Sequence, residues 1–382
     1  MMEYIIALPP LARVLLLMAS AVALADVAFY LFLMIASGNG RHRKRAAEGG
    51  EASVAVVLRS GFNRDGLAED VERFLSQDYA PYSVVVVDES GEGDGTPMLD
   101  SLRSRYSNLY VTATSNDAKF TSIDKLSLTV GIKSTEAEWI VQASRHCPPK
   151  SVHWLTELST HFQEGVSVVM GYNRVVVGAG DASRYAAARH RWCALVRLAH
   201  ARSVGPYLGD GQNLAYRRKA FLSTRGFAGY GYLLGGEGEL LTHRLAQTGK
   251  VHAEEGIKAQ TQGKVALTWR EYFRGRLGEM QAMLVLPRSV RFSMQRNARL
   301  RLLTWLFGVA LLLSGSWLLW AGVGLLGLRR LLFLLCGVVG MVRYSDKWNL
   351  LWMWLQDVME PCVWVAESRR YRAFKHQPRW RR

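Results

Sequence analysis

Residues 302–342 form an apolar run of 41 positions, broken by charge only at Arg329 and Arg330. Crossing a bilayer takes about 20 apolar residues, and inside hydrocarbon a lone segment must satisfy its own backbone, which means a helix. The run is therefore expected to be a hairpin of two spans, with its turn at residues 321–324. Arg329 and Arg330 would have to snorkel toward the interface. A second run, residues 11–36, is interrupted only by Arg13 and Asp26. It is too long for the apolar part of a signal peptide and lacks a basic start and a small-residue cleavage site, so it is expected to be a retained anchor.

The net charge of +16 raises the question of nucleic acid. Residues 41–45, 288–301 and 369–382 carry four, five and seven Lys/Arg and no acid, which together equal the whole excess. Two of these stretches abut expected spans and the third closes the chain. Cationic loops are retained in the cytoplasm, where they also meet anionic lipid. An N-terminus outside, one span inward and a hairpin out and back would place all three inside. Membrane topology thus accounts for the charge, and no nucleic acid partner is expected. Residues 348–366 mix Asp357, Glu360 and Pro361 with Trp352, Trp354 and Trp364, a composition expected to lie in the interface rather than to span. Cys147, Cys193, Cys336 and Cys362 show no zinc or disulfide spacing, which suits a reducing compartment.

Between the apolar runs, strand-like and helix-like stretches alternate. Residues 54–58, 83–87, 109–112 and 139–142 are expected strands. Residues 67–76, 98–106 and 122–134 are expected helices, the first broken by Pro81, which disfavours helix in the residue before it. The run Val84–Val87 is continuous rather than alternating, as in a strand buried on both faces. This alternation implies an α/β fold with a mostly parallel sheet and right-handed crossovers. In such sheets ligands collect beyond the carboxyl ends of the strands, here residues 59–63, 88–94, Lys125 and 143–147.

Those places carry recognisable pieces. Gln77-Asp-Tyr-Ala-Pro81 leads through a valine run to Asp88-Glu89-Ser90, followed by Asp94-Gly-Thr96. Lys125-Leu-Ser-Leu-Thr-Val-Gly131-Ile132 sits on an expected helix, and Glu138-Trp-Ile-Val141 on an expected strand. Further on stand Gly209-Asp-Gly-Gln-Asn213-Leu-Ala-Tyr216 and Gly236-Glu237-Gly-Glu239-Leu240. In this order and spacing, residues 53–282 resemble the family 2 glycosyltransferases, inverting membrane-anchored enzymes with the GT-A fold.

The resemblance implies transfer of a sugar from a nucleotide sugar to a lipid-linked or cell-envelope glycan acceptor at the inner membrane, with a cytoplasmic catalytic domain. Membrane lipids and partner membrane proteins are the other partners it implies. By position, Asp88 and Glu89 would bind the nucleotide, Lys125 at a helix start would meet the diphosphate, and Gly211 and Asn213 would lie on the acceptor side. Glu237 would be the general base that takes the acceptor hydroxyl's proton. The family commonly has Asp there, so this carboxylate would reach about one methylene further. Glu239 would hold the motif or contact acceptor. Residues 269–276 would close over the diphosphate or rest as an amphipathic helix on the membrane.

The chain departs from the family at its metal motif. Where Asp-x-Asp is expected, it has Ser144, Arg145 and His146. A hard divalent ion wants oxygen ligands, so no metal ligands are assigned, and Mg or Mn is not expected to bind in the usual way. Either Arg145, with His146, supplies the charge that the metal would, since guanidinium matches phosphate bidentately, or the domain is an inactive binding or scaffold partner of an active transferase. The expected organisation is an anchor at 1–40, a basic linker at 41–52, the GT-A domain at 53–266, interfacial helices at 267–301, the hairpin at 302–342 and an interfacial segment with a basic tail at 343–382.

Overall fold

The computed structural model describes residues 9–38, 52–61, 65–89, 97–114, 122–203, 205, 208–314 and 317–375. Residues 41–45, 62–63 and 90–96, with most of the terminal basic run, lie outside them. The chain divides into two compact units, one built on Arg41–Leu286 and the other combining the N-terminal helix with Pro287–Arg369.

In the first unit, strands β1 (Val54–Arg59), β2 (Tyr82–Asp88), β3 (Leu109–Ala113) and β4 (Trp139–Ala143) alternate with helices α2 (Leu67–Leu75), α3 (Pro97–Arg105) and α4 (Ile123–Lys133). Helix α1 (Pro10–Gly38) precedes them and belongs to the second unit. The chain continues through α5 (Trp154–Ser159), β5 (Val166–Gly171), β6 (Asn173–Val177), α6 (Asp181–Ser203), β7 (Asn213–Arg217), α7 (Arg218–Ser223), α8 (Glu239–Leu245), β8 (Lys250–Glu254), β9 (Thr261–Val265) and α9 (Trp269–Val285). Seven strands form one sheet in the order β3-β2-β1-β4-β7-β5-β8, and β6 pairs with β9 in a separate two-stranded sheet.

Val54, Val56, Leu58, Val84 and Val86 are buried with Phe74, Trp154 and Trp139 in one continuous core. Their alternation with equally buried neighbours, such as Val85 and Val87, reflects helices on both faces of the sheet. On the opposite face from that core lies α4. A Cβ at Gly131 would come 2.6 Å from Val57 and 2.8 Å from Val87, so only glycine lets this helix settle directly on β1 and β2. That close approach fixes where the helix begins, and with it Asp124 and Lys125.

Strand direction builds the working rim. β1, β2, β3 and β4 are parallel, so Arg59, Asp88, Ala113 and Ala143 end at one edge. β7 runs antiparallel to β4 with Asn213 opposite Ala143. The loop that precedes β7 therefore arrives at the same edge as the ends of the parallel strands.

Helix α9 was expected to begin a separate interfacial region at residue 267, but it belongs to the sheet's unit. Thr268 caps it in a reciprocal box with Glu271, a pairing that satisfies two end donors at once. Tyr185 of α6 packs on Trp269 and Tyr272 at 5.4 and 5.5 Å, and Arg189 of α6 pairs with Glu279. The boundary falls after Leu286 rather than at 266.

The second unit joins α1 to α10 (Arg288–Met294), α11 (Arg296–Leu312), α12 (Leu318–Tyr344) and α13 (Leu350–Lys375), the last of which passes into the first unit at its end. Among the described residues, two helices, Pro10–Ser37 and Leu318–Tyr344, are long and apolar enough to cross a membrane. Residues 321–324, where the hairpin's turn was expected, lie inside α12, and α11 ends at Leu312. Gly322 instead faces α11, where an added Cβ would meet the Gly308 carbonyl at 2.8 Å. These glycines permit close helix packing, a common use in apolar bundles. Residues 350–375 form one helix that continues through Pro361.

This unit buries an ionic cluster beside an apolar core that includes Ala19, Leu311, Leu318 and Leu325, and its exterior is apolar. Asp26, Arg301, Arg329 and Asp357 are each at most 4% exposed. Arg329 donates to Asp26, which also accepts from Thr304 at 2.6 Å. Asp357 pairs with Arg301 at 2.7 Å and with Arg330. Facing outward are Leu11, Leu24, Leu306, Leu313, Trp320 and Val342, each more than 60% exposed. Arg329 and Arg330 thus do not snorkel away, because carboxylates on α1 and α13 meet them inside.

Candidate active site

Contacts run around the rim of the sheet and close on themselves. Asp88, at the end of β2, is buried and accepts from Ser60 Oγ at 3.4 Å. Ser60 Oγ also receives the Glu89 backbone N–H at 3.1 Å. Glu89 is itself buried, with its carboxylate held by Arg59 at 2.6 and 3.4 Å. Arg59 reaches on to Asp124 at the start of α4. Burial alone would lower the Arg59 pKa, but the Glu89 hydrogen bonds and the Asp124 charge raise it overall. Burial also raises Asp124, against the pull of Arg59.

Lys125 follows. It is 2% exposed, and its Nζ donates to Leu233 O at 2.7 Å, to Glu237 Oε1 at 3.0 Å and to Ser122 Oγ at 3.4 Å. The sequence separates Lys125 and Glu237 by 112 positions, and the fold makes them an ion pair. From Glu237 the backbone passes to Gly238, which lies against Gly209 and Gly211 so closely that a Cβ there would overlap them. Gly211 in turn meets the Gln142 amide of β4, where an added Cβ would stand 2.6 Å away. Gln142 accepts from Tyr216 at 3.4 Å.

Two residues beyond the end of β4 the ring returns to its start. Arg145 is 3% exposed; it donates to the Asp65 carbonyl at 3.4 Å and lies beside Gly61, next to Ser60. Burial lowers its pKa. His146 turns outward, 68% exposed and 4.0 Å from Asp70; burial and Arg145 lower its pKa. It lines a groove of about 360 Å³ with Asp70, Arg73 and Lys264. Burial pushes the Cys147 thiol up to about 12, so at neutral pH it stays a protonated donor to Gln212, at 3.0 Å.

The predicted residues therefore divide. Asp88, Lys125, Arg145, Glu237 and Gly211 converge on the ring. Glu89 stands in it as the anchor of Arg59. Asn213 lies beneath, with its amide nitrogen on Tyr172 O and Ala259 O at 3.1 and 3.0 Å and its oxygen accepting from Trp154 at 3.1 Å. That amide ties β7 to three neighbouring segments.

Glu239, at the first position of α8, belongs to a second charged group that sequence reasoning missed. Burial and the nearby Glu279 charge raise its pKa to about 7. Burial would raise Glu279 too, but Arg276, Arg189 and Arg197 hold it down at about 2. Arg197 also pairs with Asp210 at 3.2 Å, in the loop next to Gly211. The only sequence signal was a surplus of arginine on α6 and α9.

The usual metal ligands were tested against this geometry. Ser144, Arg145 and His146 offer one imidazole and no carboxylate, with a guanidinium between, and that set does not fit a hard divalent ion. Among the described residues, no group of three or more His, Cys, Asp or Glu is placed to hold one.

No family model matches the chain, and no curated protein matches it in sequence. Solved structures resemble it to different degrees. A mannosyltransferase of Pyrobaculum calidifontis, solved with GDP-mannose and Mn2+, superposes with a TM-score of 0.56 at 16% identity, covering 91% of this chain and 99% of that one. GalNAc-T7, solved with UDP, GalNAc and Mn2+, gives 0.41 at 14% identity over 58% of this chain and 45% of its own. S. aureus TarS, residues 1–349, gives 0.42 at 13% over 81% and 92%. The chain has a GT-A-like fold with a mostly parallel seven-stranded sheet.

Proposed function

We propose that this chain is a membrane glycosyltransferase that moves a sugar from a nucleotide-sugar donor to a lipid-linked or cell-envelope glycan acceptor, with inversion. The observation that carries the reading is the convergence of Asp88, Lys125 and Glu237 on one rim of a sheet whose fold is shared, over nearly its whole length, with a mannosyltransferase.

The chemistry follows from the residues. The buried Asp88 carboxylate accepts a ring N–H of the nucleotide base, and Lys125 meets the diphosphate near the first turn of α4, where the helix dipole also favours negative charge. The acceptor hydroxyl oxygen bonds to the anomeric carbon while the carbon–oxygen bond to the diphosphate breaks. Glu237 takes the hydroxyl proton, and the nucleoside diphosphate leaves with the bonding electron pair. Arg145, standing where the metal motif is expected, supplies fixed positive charge for the leaving group.

The apolar exterior and buried ions of the second unit support membrane attachment. In water, a bundle gains by placing Asp26, Arg329 and Asp357 outward and Leu24, Leu306 and Leu313 inward; in lipid, the reverse order is the favourable one. The acid-free basic runs at 41–45, 288–301 and 369–382 favour a cytoplasmic catalytic unit at the inner membrane, with anionic lipids and other membrane proteins as partners.

A second reading is favoured by the missing metal carboxylates: a catalytically inactive domain that binds nucleotide and serves an active transferase. One experiment separates the two. The full chain, purified in detergent, is titrated with UDP, GDP and their sugars, with and without Mg2+ or Mn2+, and turnover onto lipid-linked acceptors is measured. Turnover that is independent of metal and lost in Glu237→Gln supports the enzyme. Binding without turnover supports the scaffold, and absence of nucleotide binding sinks both.

A further inference from the structure

Lys125 and Glu237 cannot perform their two assigned tasks in the conformation seen. The Lys125 ammonium has three protons, and all three are directed at protein acceptors: Leu233 O, Glu237 Oε1 and Ser122 Oγ. At 2% exposure it offers nothing to a phosphate. Glu237, for its part, has its Oε1 occupied by the Lys125 ammonium at 3.0 Å, so that oxygen is turned away from any acceptor hydroxyl. The cation that would bind the leaving group and the carboxylate that would deprotonate the acceptor neutralise each other.

We propose that this ion pair is a donor-operated latch: the diphosphate of the incoming nucleotide displaces Glu237 from Lys125, and that exchange frees the carboxylate to act as base. The proposal rests on the reading of the site given above.

The surroundings show what moves and what stays. The segment between α7 and α8 that carries Leu233 and Glu237 is pinned at both ends. Arg244 donates to the carbonyls of Gly226 and Ala228 at 2.7 and 2.9 Å and covers the Tyr230 ring at 4.6 Å. Further along, the Leu234 N–H donates to Gln281 at 3.0 Å, and Gly235 crosses the backbone of Gly278 so closely that a Cβ would come within 2.7 Å. The backbone is thereby fixed, and the latch opens by rotation of the two side chains. Glu237 is partly exposed, at 21%, against 2% for Lys125, so the carboxylate is the partner with room to swing out. Electrostatics favour the exchange. Glu89, Asp124 and Glu237 stand around Lys125 and Arg59, so three acids face two bases there. A diphosphate adds to that crowding unless one carboxylate leaves Lys125. Glu89 and Asp124 are paired directly with Arg59, whereas Glu237 is paired directly with Lys125 and feels Arg59 only as a nearby charge.

The test is a double-mutant cycle on nucleotide affinity, which needs no turnover. Dissociation constants for UDP and GDP are measured by calorimetry on the full chain in detergent, for the native protein, Glu237→Gln, Lys125→Gln and the double variant. Removing the competing charge is expected to tighten binding roughly fivefold, the effect of about 1 kcal/mol. Lys125→Gln is expected to weaken binding at least tenfold, and Glu237→Gln to have no effect in that background. Glu237→Asp, which keeps the charge on a shorter arm, serves as the folding control and should tighten binding less than Glu237→Gln. If the native protein binds nucleotide and Glu237→Gln binds no tighter, the latch is wrong while the transferase reading stands. If no variant binds either nucleotide, both fall.

Discussion

Substituting Asp26 by leucine should unfold the helical unit far more readily than its position in an apolar helix suggests. Asp26 is 1% exposed and pairs with Arg329, which is 2% exposed. The substitution adds apolar surface but takes from a buried guanidinium its direct carboxylate partner, leaving it Asn297 at 3.1 Å, Asp357 at 3.8 Å and the Tyr30 ring at 5.5 Å. Breaking a buried pair from one side costs about 3–5 kcal/mol, whereas replacing both partners with apolar groups is often neutral. Thr304 adds little, since its single hydroxyl proton, released from Asp26, can turn to Leu300 O at 2.9 Å. Asp26→Leu should therefore lower the melting temperature by roughly 10 °C or more, and Asp26→Leu with Arg329→Leu should recover most of that loss. Intrinsic fluorescence in detergent reports the right unit, because seven of the chain's twelve tryptophans lie between Trp305 and Trp364. A single variant that costs under about 1 kcal/mol, or a double variant that costs the sum of the singles, would refute the reasoning.

Three further outcomes follow from the α/β unit. Gly131→Ala forces a methyl group against Val57 and Val87; overpacking of this kind costs about 1–3 kcal/mol, read as a lower denaturation midpoint, and by shifting α4 it should also weaken nucleotide binding through Lys125. Asp88→Asn should raise the donor KM about tenfold or more, as expected for loss of a hydrogen bond to a charged group, with kcat less affected. The third concerns pH. Glu239 is raised from 4.5 to about 7 in the folded chain, so the folded state holds the extra proton between those values, and stability falls as pH rises through that window. Glu239→Gln should flatten the decline in melting temperature between about pH 5 and 7, and an unchanged slope would count against the assigned environment.

The first half of the sheet was legible because each of its strands is short, apolar and separated by a helix with a clear period. Val84–Val87 could only be a strand covered on both faces. The second half resisted for physical reasons. β5 and β6 are separated only by Tyr172 and read as one apolar run, though they enter different sheets. Lys250–Glu254 and Thr261–Val265 are largely polar, since each is partly exposed. Nor does local composition reveal that β7 reverses direction, yet that reversal brings Gly211 to the rim. The glycines at 322 and 324 suggested a turn, but the pattern for a turn and for a tight helix crossing is the same until the partner helix is known.

Among the site residues, Asp88 and Lys125 were legible from topology, because each follows or faces a strand's carboxyl end. The Lys125–Glu237 pair was not, since the two residues are joined only by the crossing of α4 with a loop 112 positions later. Asn213 was read as facing acceptor, whereas its amide bonds Tyr172 O, Ala259 O and Trp154. That clamp depends on segments whose meeting no spacing in the sequence announces. Arg59 fell inside the expected rim without a role; its grip on Glu89 and Asp124 shows why a cation ends an otherwise apolar strand.

An experimental structure of the full chain with a bound nucleotide sugar tests the central claim most directly. The account predicts the diphosphate within hydrogen-bond distance of Lys125 Nζ, the base against Asp88, and Glu237 turned from Lys125 toward the sugar. A nucleotide seated elsewhere, with the rim from Asp88 to Glu237 closed as it is now, would contradict it.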